Sequence, residues 1–125
     1  MGTLHEKKTV VLVVEDEGLI RMDAVDALSD AGFELVEASS GDQAVAILRE
    51  RDDIDVVFTD VHMPGSIDGL MLSKTIHDEW PTIGVIITSG LARLVQDRLP
   101  SRTLFFQKPH EYKRIIGAVN CLTGR

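Results

Sequence analysis

Apolar residues along this chain follow two different spacings, and the two alternate. Short, nearly unbroken apolar runs occupy Thr9 to Val14, Phe33 to Glu37, Val56 to Thr59, Val85 to Thr88 and Leu104 to Phe106. They are rich in Val, Ile and Phe, and three of them are almost continuous, which predicts parallel strands buried on both faces. Between the runs the apolar positions recur at helical spacing. Ile20, Ala24, Ala27, Leu28 and Ala31 form one stripe, with Arg21, Asp23, Asp26 and Asp30 pointing elsewhere and Gly32 as the stop. A second helix is predicted over residues 41–51, with Ser39 or Ser40 as N-cap and Ala44, Ile47 and Leu48 inward. A third runs from Asp68 to about Trp80 and is ended by Pro81. The last begins near Pro109 and carries Tyr112, Ile115, Ile116, Val119 and Leu122.

Strand and helix therefore alternate along the whole chain, which is the pattern of a doubly wound α/β sheet with helices on both faces. The weakest segment is the fourth helix, Leu91 to Leu99, which is short, loosely amphipathic and closed by Pro100. With no repeat, low-complexity tract or linker, one domain over residues 9–123 follows an N-terminal tail over residues 1–8. The length of 125 residues suits one domain with a real core. Composition then narrows the class. Twenty acidic against thirteen basic residues give a net charge of −7, which argues against direct gripping of nucleic acid. Cys121 is the single cysteine, so no internal disulfide is possible, which fits a reducing compartment. No apolar run approaches a membrane span, and the first residues lack a signal core, so a cytoplasmic protein without membrane contact is expected.

In a doubly wound sheet, ligands bind beyond the carboxyl ends of the strands, near the point where strand order reverses. The first strand ends in Glu15-Asp16-Glu17, the third in Asp60 and the fourth in Ser89, while the fifth runs into Lys108-Pro109. This order gathers carboxylates, a hydroxyl and an ammonium on one edge. Crowded carboxylates repel unless they share a cation. Oxygen donors without a His or Cys cluster select a hard ion, and Mg²⁺ suits a site that keeps waters. Asp60 is placed to act as a nucleophile toward phosphorus. Each residue also has a plainer reading, as a helix-end charge, a loop cap or a solvated strand exit. Their joint occurrence in order along one edge favours the functional one.

These residues resemble the receiver domain of two-component response regulators. The motifs are Val11-Leu12-Val13-Val14-Glu15-Asp16-Glu17, Asp60-Val61-His62-Met63-Pro64-Gly65 with Asp68-Gly69, Thr88-Ser89-Gly90, and Lys108-Pro109. The resemblance covers the chain from Val10 to about Leu122 and implies a flavodoxin-like (CheY-like) five-stranded parallel sheet of order 2-1-3-4-5. It implies that Asp60 is the phosphoacceptor and that Mg²⁺ is held by Asp16, by Glu15 through water, by Asp60 and by the backbone carbonyl of His62. The His62 imidazole then faces solvent. Ser89 matches the switch hydroxyl, Lys108 the phosphate-contacting lysine, and Phe105 the aromatic switch position. Phe105 reads equally well as core, since it and Phe106 must point to opposite faces. A sensor histidine kinase or histidine phosphotransfer protein would supply the phosphoryl group. Ser89 would then move toward it and Phe105 into the vacated space, changing the surface offered to a downstream protein.

The chain departs from the family pattern in three places. Glu15 replaces the commoner Asp, and the turn from Pro64 to Asp68 carries one extra residue. The interval from Ser89 to Lys108 is a few residues short, so the fourth helix should be short or irregular and a standard dimer cannot be assumed. A monomer or weak homodimer is the expectation. Two other readings compete. One is a receiver-like binding or dimerisation module that phosphorylation does not control, and the other a Mg²⁺-dependent phosphatase, for which the chain has no insertion to build a lid. Beyond self-phosphorylation and slow autodephosphorylation, no enzymatic activity is expected.

Overall fold

A computed structural model describes residues 7–90 and 99–124. The chain forms β1 (Val10–Val14), α1 (Gly18–Asp30), β2 (Glu34–Ala38), α2 (Gly41–Glu50), β3 (Val56–Asp60), α3 (Gly69–Glu79), β4 (Gly84–Ser89), β5 (Thr103–Gln107) and α4 (Tyr112–Thr123). The five strands make one parallel sheet in the order β2-β1-β3-β4-β5. Strand order reverses between β1 and β3, so the carboxyl ends of those two strands flank the switch point. Of the segment Leu91 to Leu99, only Leu99 falls within the described residues, and the expected fourth helix lies outside them.

Central and edge strands differ as the sequence predicts. β1 and β4 are buried along their whole length and β3 in all but its last residue, whereas the edge strands β2 and β5 are mostly half-buried or exposed. Alternate side chains feed two cores. Leu12, Val14, Val57 and Ile87 pack toward α2 and α3 with Leu48, Leu72 and Ile76. Val11, Val13, Phe58 and Ile86 pack toward α1 and α4 with Leu28, Ile115 and Val119. Phe105 leans on the first cluster and Phe106 on the second, as strand alternation requires.

The helix ends follow the local chemistry. Ser40 caps α2, its hydroxyl accepting from Gln43 N at 3.1 Å, and Asp68 caps α3, accepting from Met71 N at 2.9 Å. Gly32, at φ 97°, closes α1 with Gly32 N donating to Ser29 O and Phe33 N to Leu28 O. The last helix begins later than the sequence suggests. Glu111 is its N-cap in an extended conformation, so Pro109 and His110 belong to the connection from β5. The α1 stripe is also narrower than expected. Ala24 and Leu28 are buried, but Ala31 is exposed and Ile20 retains 43% of its surface. Ile20 sits in the first turn of α1, at the carboxyl edge of the sheet, where there is less core to cover it.

Candidate functional site at the carboxyl edge of the sheet

Asp60 is the last residue of β3, and its register partner on β4 is Thr88. Strand geometry alone brings it to the edge, one position beyond the buried Thr59. Its side chain is only 13% exposed, and Lys108 Nζ lies 2.6 Å from Oδ2. The other oxygen, Oδ1, accepts from His62 N at 3.2 Å. The His62 side chain is exposed, as expected. Lys108 reaches Asp60 because β5 ends beside β4: Ser89 pairs with Gln107, and Lys108 N donates to Ser89 O at 2.9 Å. Ser89 itself is 1% exposed at the end of β4.

Glu15 follows β1 directly and is buried, while Asp16 is exposed. Glu15 Oε2 accepts from Glu17 N at 3.0 Å, and Glu15 O accepts from Arg21 Nη1 at 2.7 Å. Arg21 also pairs with Glu37 at 3.0 Å, anchoring the start of α1 to β2. Burial pushes the Glu15 carboxyl above its ordinary range; the Glu17 N–H opposes this, Asp16 and Asp60 push it further, and Lys108 opposes again. Glu15, Asp60 and Lys108 therefore share one electrostatic environment.

The loop from Val61 to Asp68 is held from both sides. Gly69 N donates to Val61 O at 2.9 Å, and the α-carbon of Gly69 presses on the backbone of Asp60, so an added Cβ would meet Asp60 O and lie 2.8 Å from Val61 Cα. Ser66 Oγ donates to the Asp42 carboxylate at 3.0 Å, and Ile67 packs against Gly41 at the start of α2. Within this turn Gly65 lies at φ 103°, a conformation that suits glycine.

The structure thus brings Glu15, Asp60, Lys108 and Ser89 to one edge and leaves Asp16 beside them. Phe105 lies half-buried against the α2–α3 core cluster. Among the described residues, no group of three His, Cys, Asp or Glu side chains could hold a metal ion by itself. One residue at this edge was not singled out from sequence. His110, two positions beyond Lys108, places its ring between Phe58 and Tyr112, with centroids 5.9 and 5.3 Å away. Its type and its spacing from Lys108 were visible, but the burial of its ring nitrogens was not.

A parallel five-stranded sheet with this edge constellation defines a doubly wound α/β protein whose polar site lies at the switch point. Comparison with known proteins carries the assignment further: the response regulator receiver domain profile matches residues 11–120. The chain belongs to the response regulator receiver domain family. It is 37% identical over 113 residues to the sensor kinase CckA of Brucella abortus, covering 87% of this chain and 12% of that protein. It is 33% identical over 118 residues to the transcriptional regulatory protein PdtaR of Mycobacterium tuberculosis, covering 92% of this chain and 57% of that one. It therefore spans less than two thirds of the length of these relatives. The response regulator TrrA of Thermotoga maritima, solved in complex with Mg²⁺-BeF, superposes with a TM-score of 0.82 at 24% identity, over 91% of this chain and 98% of that one, a likeness of fold. Among the described residues, no helix is long and apolar enough to cross a membrane.

Proposed function

We propose that this chain accepts a phosphoryl group on Asp60 and uses the added charge to change a protein-binding surface. The observation that carries the reading is the Asp60 carboxylate, 13% exposed and 2.6 Å from Lys108, at the reversal point of the sheet. An Asp60 oxygen attacks the phosphorus of a phosphohistidine on a partner; the P–O bond to Asp60 forms as the P–N bond breaks, and the imidazole leaves with the electron pair. Lys108 offsets the charge that arrives with the phosphoryl oxygens. The His62 N–H holds the carboxylate in position during the transfer.

The donor set suits a hard cation. Asp16, Asp60 and the His62 carbonyl offer oxygen only, with Glu15 beside them; burial is the main cause of the raised Glu15 carboxyl, and Asp16 and Asp60 add negative charge that a cation would relieve. Incomplete protein coordination fits Mg²⁺, which keeps several waters, and bound there it would neutralise charge on the transferring group.

A sensor kinase or phosphotransfer protein is the proposed donor, in keeping with the sensor-kinase relative. Leu19 and Met22, 82% and 57% exposed at the start of α1, offer apolar surface to such a partner beside Asp16. After phosphorylation, Ser89 turns toward the phosphoryl oxygens and Phe105 shifts with it, altering the surface presented to a downstream protein.

Intact-protein mass spectrometry after incubation with acetyl phosphate tests this directly. Wild type should gain one phosphoryl adduct in the presence of Mg²⁺, and Asp60→Ala none. A folded wild type left unmodified by acetyl phosphate and by a phosphorylated kinase would favour a binding module that phosphorylation does not control.

A further inference from the structure

Behind the Asp60–Lys108 pair lies a cavity of about 30 Å³, bordered by Glu15, Phe58, Asp60, Lys108, His110 and Tyr112. Most of its wall is apolar, and His110 is a polar wall residue that the phosphoryl-transfer scheme leaves unused. Both ring nitrogens of His110 are buried, and among the described residues neither has a hydrogen-bond partner. Its ring is held by edge contacts to Phe58 and Tyr112, which a phenyl ring would make equally well. Buried polar atoms are nearly always paired, with protein groups or with ordered water. The imidazole thus points to an occupant that hydrogen-bonds.

Size and chemistry limit what that occupant can be. One water needs roughly 10–15 Å³ of such space and two to four polar partners. This cavity has room for about two such waters, with His110, the Asp60–Lys108 pair and Glu15 on its border. Burial lowers the pKa of His110, Lys108 lowers it further and Asp60 opposes them, so the neutral ring is favoured. A neutral imidazole presents one donor and one acceptor that point in diverging directions, so each ring nitrogen takes its own water.

We infer that the cavity holds an ordered water bonded to His110 and to the Asp60–Lys108 pair, which makes His110 a positioning residue for the phosphoacceptor. This role rests on Asp60 being the acceptor. A water bonds more strongly to a free carboxylate than to an acyl phosphate oxygen that has lost its charge. The bridge therefore favours the unphosphorylated acceptor, and its loss shifts the balance toward the phosphorylated form.

Wild type, His110→Phe and His110→Gln are incubated with acetyl phosphate and Mg²⁺, and adduct uptake and decay are followed by intact mass. Phe keeps the edge contacts and removes both nitrogens, while Gln restores a donor and an acceptor. The ratio of uptake to decay rates should rise about tenfold in His110→Phe, the size of one charge-assisted hydrogen bond lost. His110→Gln should return it toward wild type. High-resolution crystal structures should place the water in wild type and His110→Gln but not in His110→Phe. An unchanged ratio in His110→Phe, an equal change in both variants, or a wild-type cavity without the water overturns the role. Should the Phe variant not fold, the wild-type cavity decides alone. Wild type that takes up no phosphoryl group removes the phosphoacceptor reading and this role with it. Wild type that is modified while His110→Phe matches it removes only the role of His110.

Discussion

Asp60 meets groups from three parts of the chain: the His62 N–H from its own loop, Lys108 from the end of β5 and the charge of Glu15 from the end of β1. Glu15 is the carboxylate here that burial pushes above its ordinary range. Because burial raises its pKa, the folded chain binds a proton there more readily than the unfolded chain does. Stability should then fall as pH rises through the window from the ordinary value of 4.5 up to the raised one. At pH 7 and without Mg²⁺, Glu15→Gln should therefore melt a few degrees above wild type, with the advantage gone once pH falls below that window. Thermal melts across pH check this, and a Gln variant that melts lower at pH 7 would refute it. Added Mg²⁺ should raise the wild-type midpoint more than the variant's. At this scale the sequence was informative wherever chemistry is carried by residue type and strand-end position, as with Asp60, Glu15, Ser89 and Lys108. It was silent on His110, because burial of a single polar side chain depends on residues far away in the chain.

Elements contribute mainly through their ends. The N-terminus of α3 rests on the backbone of Asp60, and the N-terminus of α2 holds the neighbouring loop through Asp42 and Gly41. A methyl group at position 69 has no room without moving the Asp60–Val61 peptide. Gly69→Ala is accordingly expected to cost about 1–3 kcal/mol in chemical denaturation and to slow phosphoryl uptake. Full stability with unchanged uptake would show that this seat is not rigid. Asp68→Ala at the same helix start, which removes a cap without crowding Asp60, should cost about 1 kcal/mol and leave uptake closer to wild type. Periodicity located α1, α2 and α3 to within a residue or two. It overstated the inward stripe of α1, since Ile20 and Ala31 have the right spacing but remain exposed. It also started the last helix early, because a proline is compatible with a first helical turn and with an extended connection alike.

Across the whole molecule, charge and topology have separate consequences. The net charge of −7 leaves little to neutralise phosphates, so fluorescence anisotropy at about 0.15 M salt should show no binding of this chain to duplex DNA. Saturable, salt-sensitive binding would contradict that. The doubly wound class was determined by sequence alone, because three unbroken apolar runs have to be buried on both faces and helices of matching period are available to cover them. Sequence also determined which residues stand at strand ends. The tertiary structure decided what those ends meet: the order β2-β1-β3-β4-β5 sets β1 beside β3 and β5 beside β4, which puts Lys108 within 2.6 Å of Asp60 across 48 positions of chain. It likewise decided the packing of Gly69 on Asp60 and the enclosure of His110. Hydrophobic period and residue type are local properties of the chain, whereas burial and contact are sums over neighbours that only the completed packing brings together.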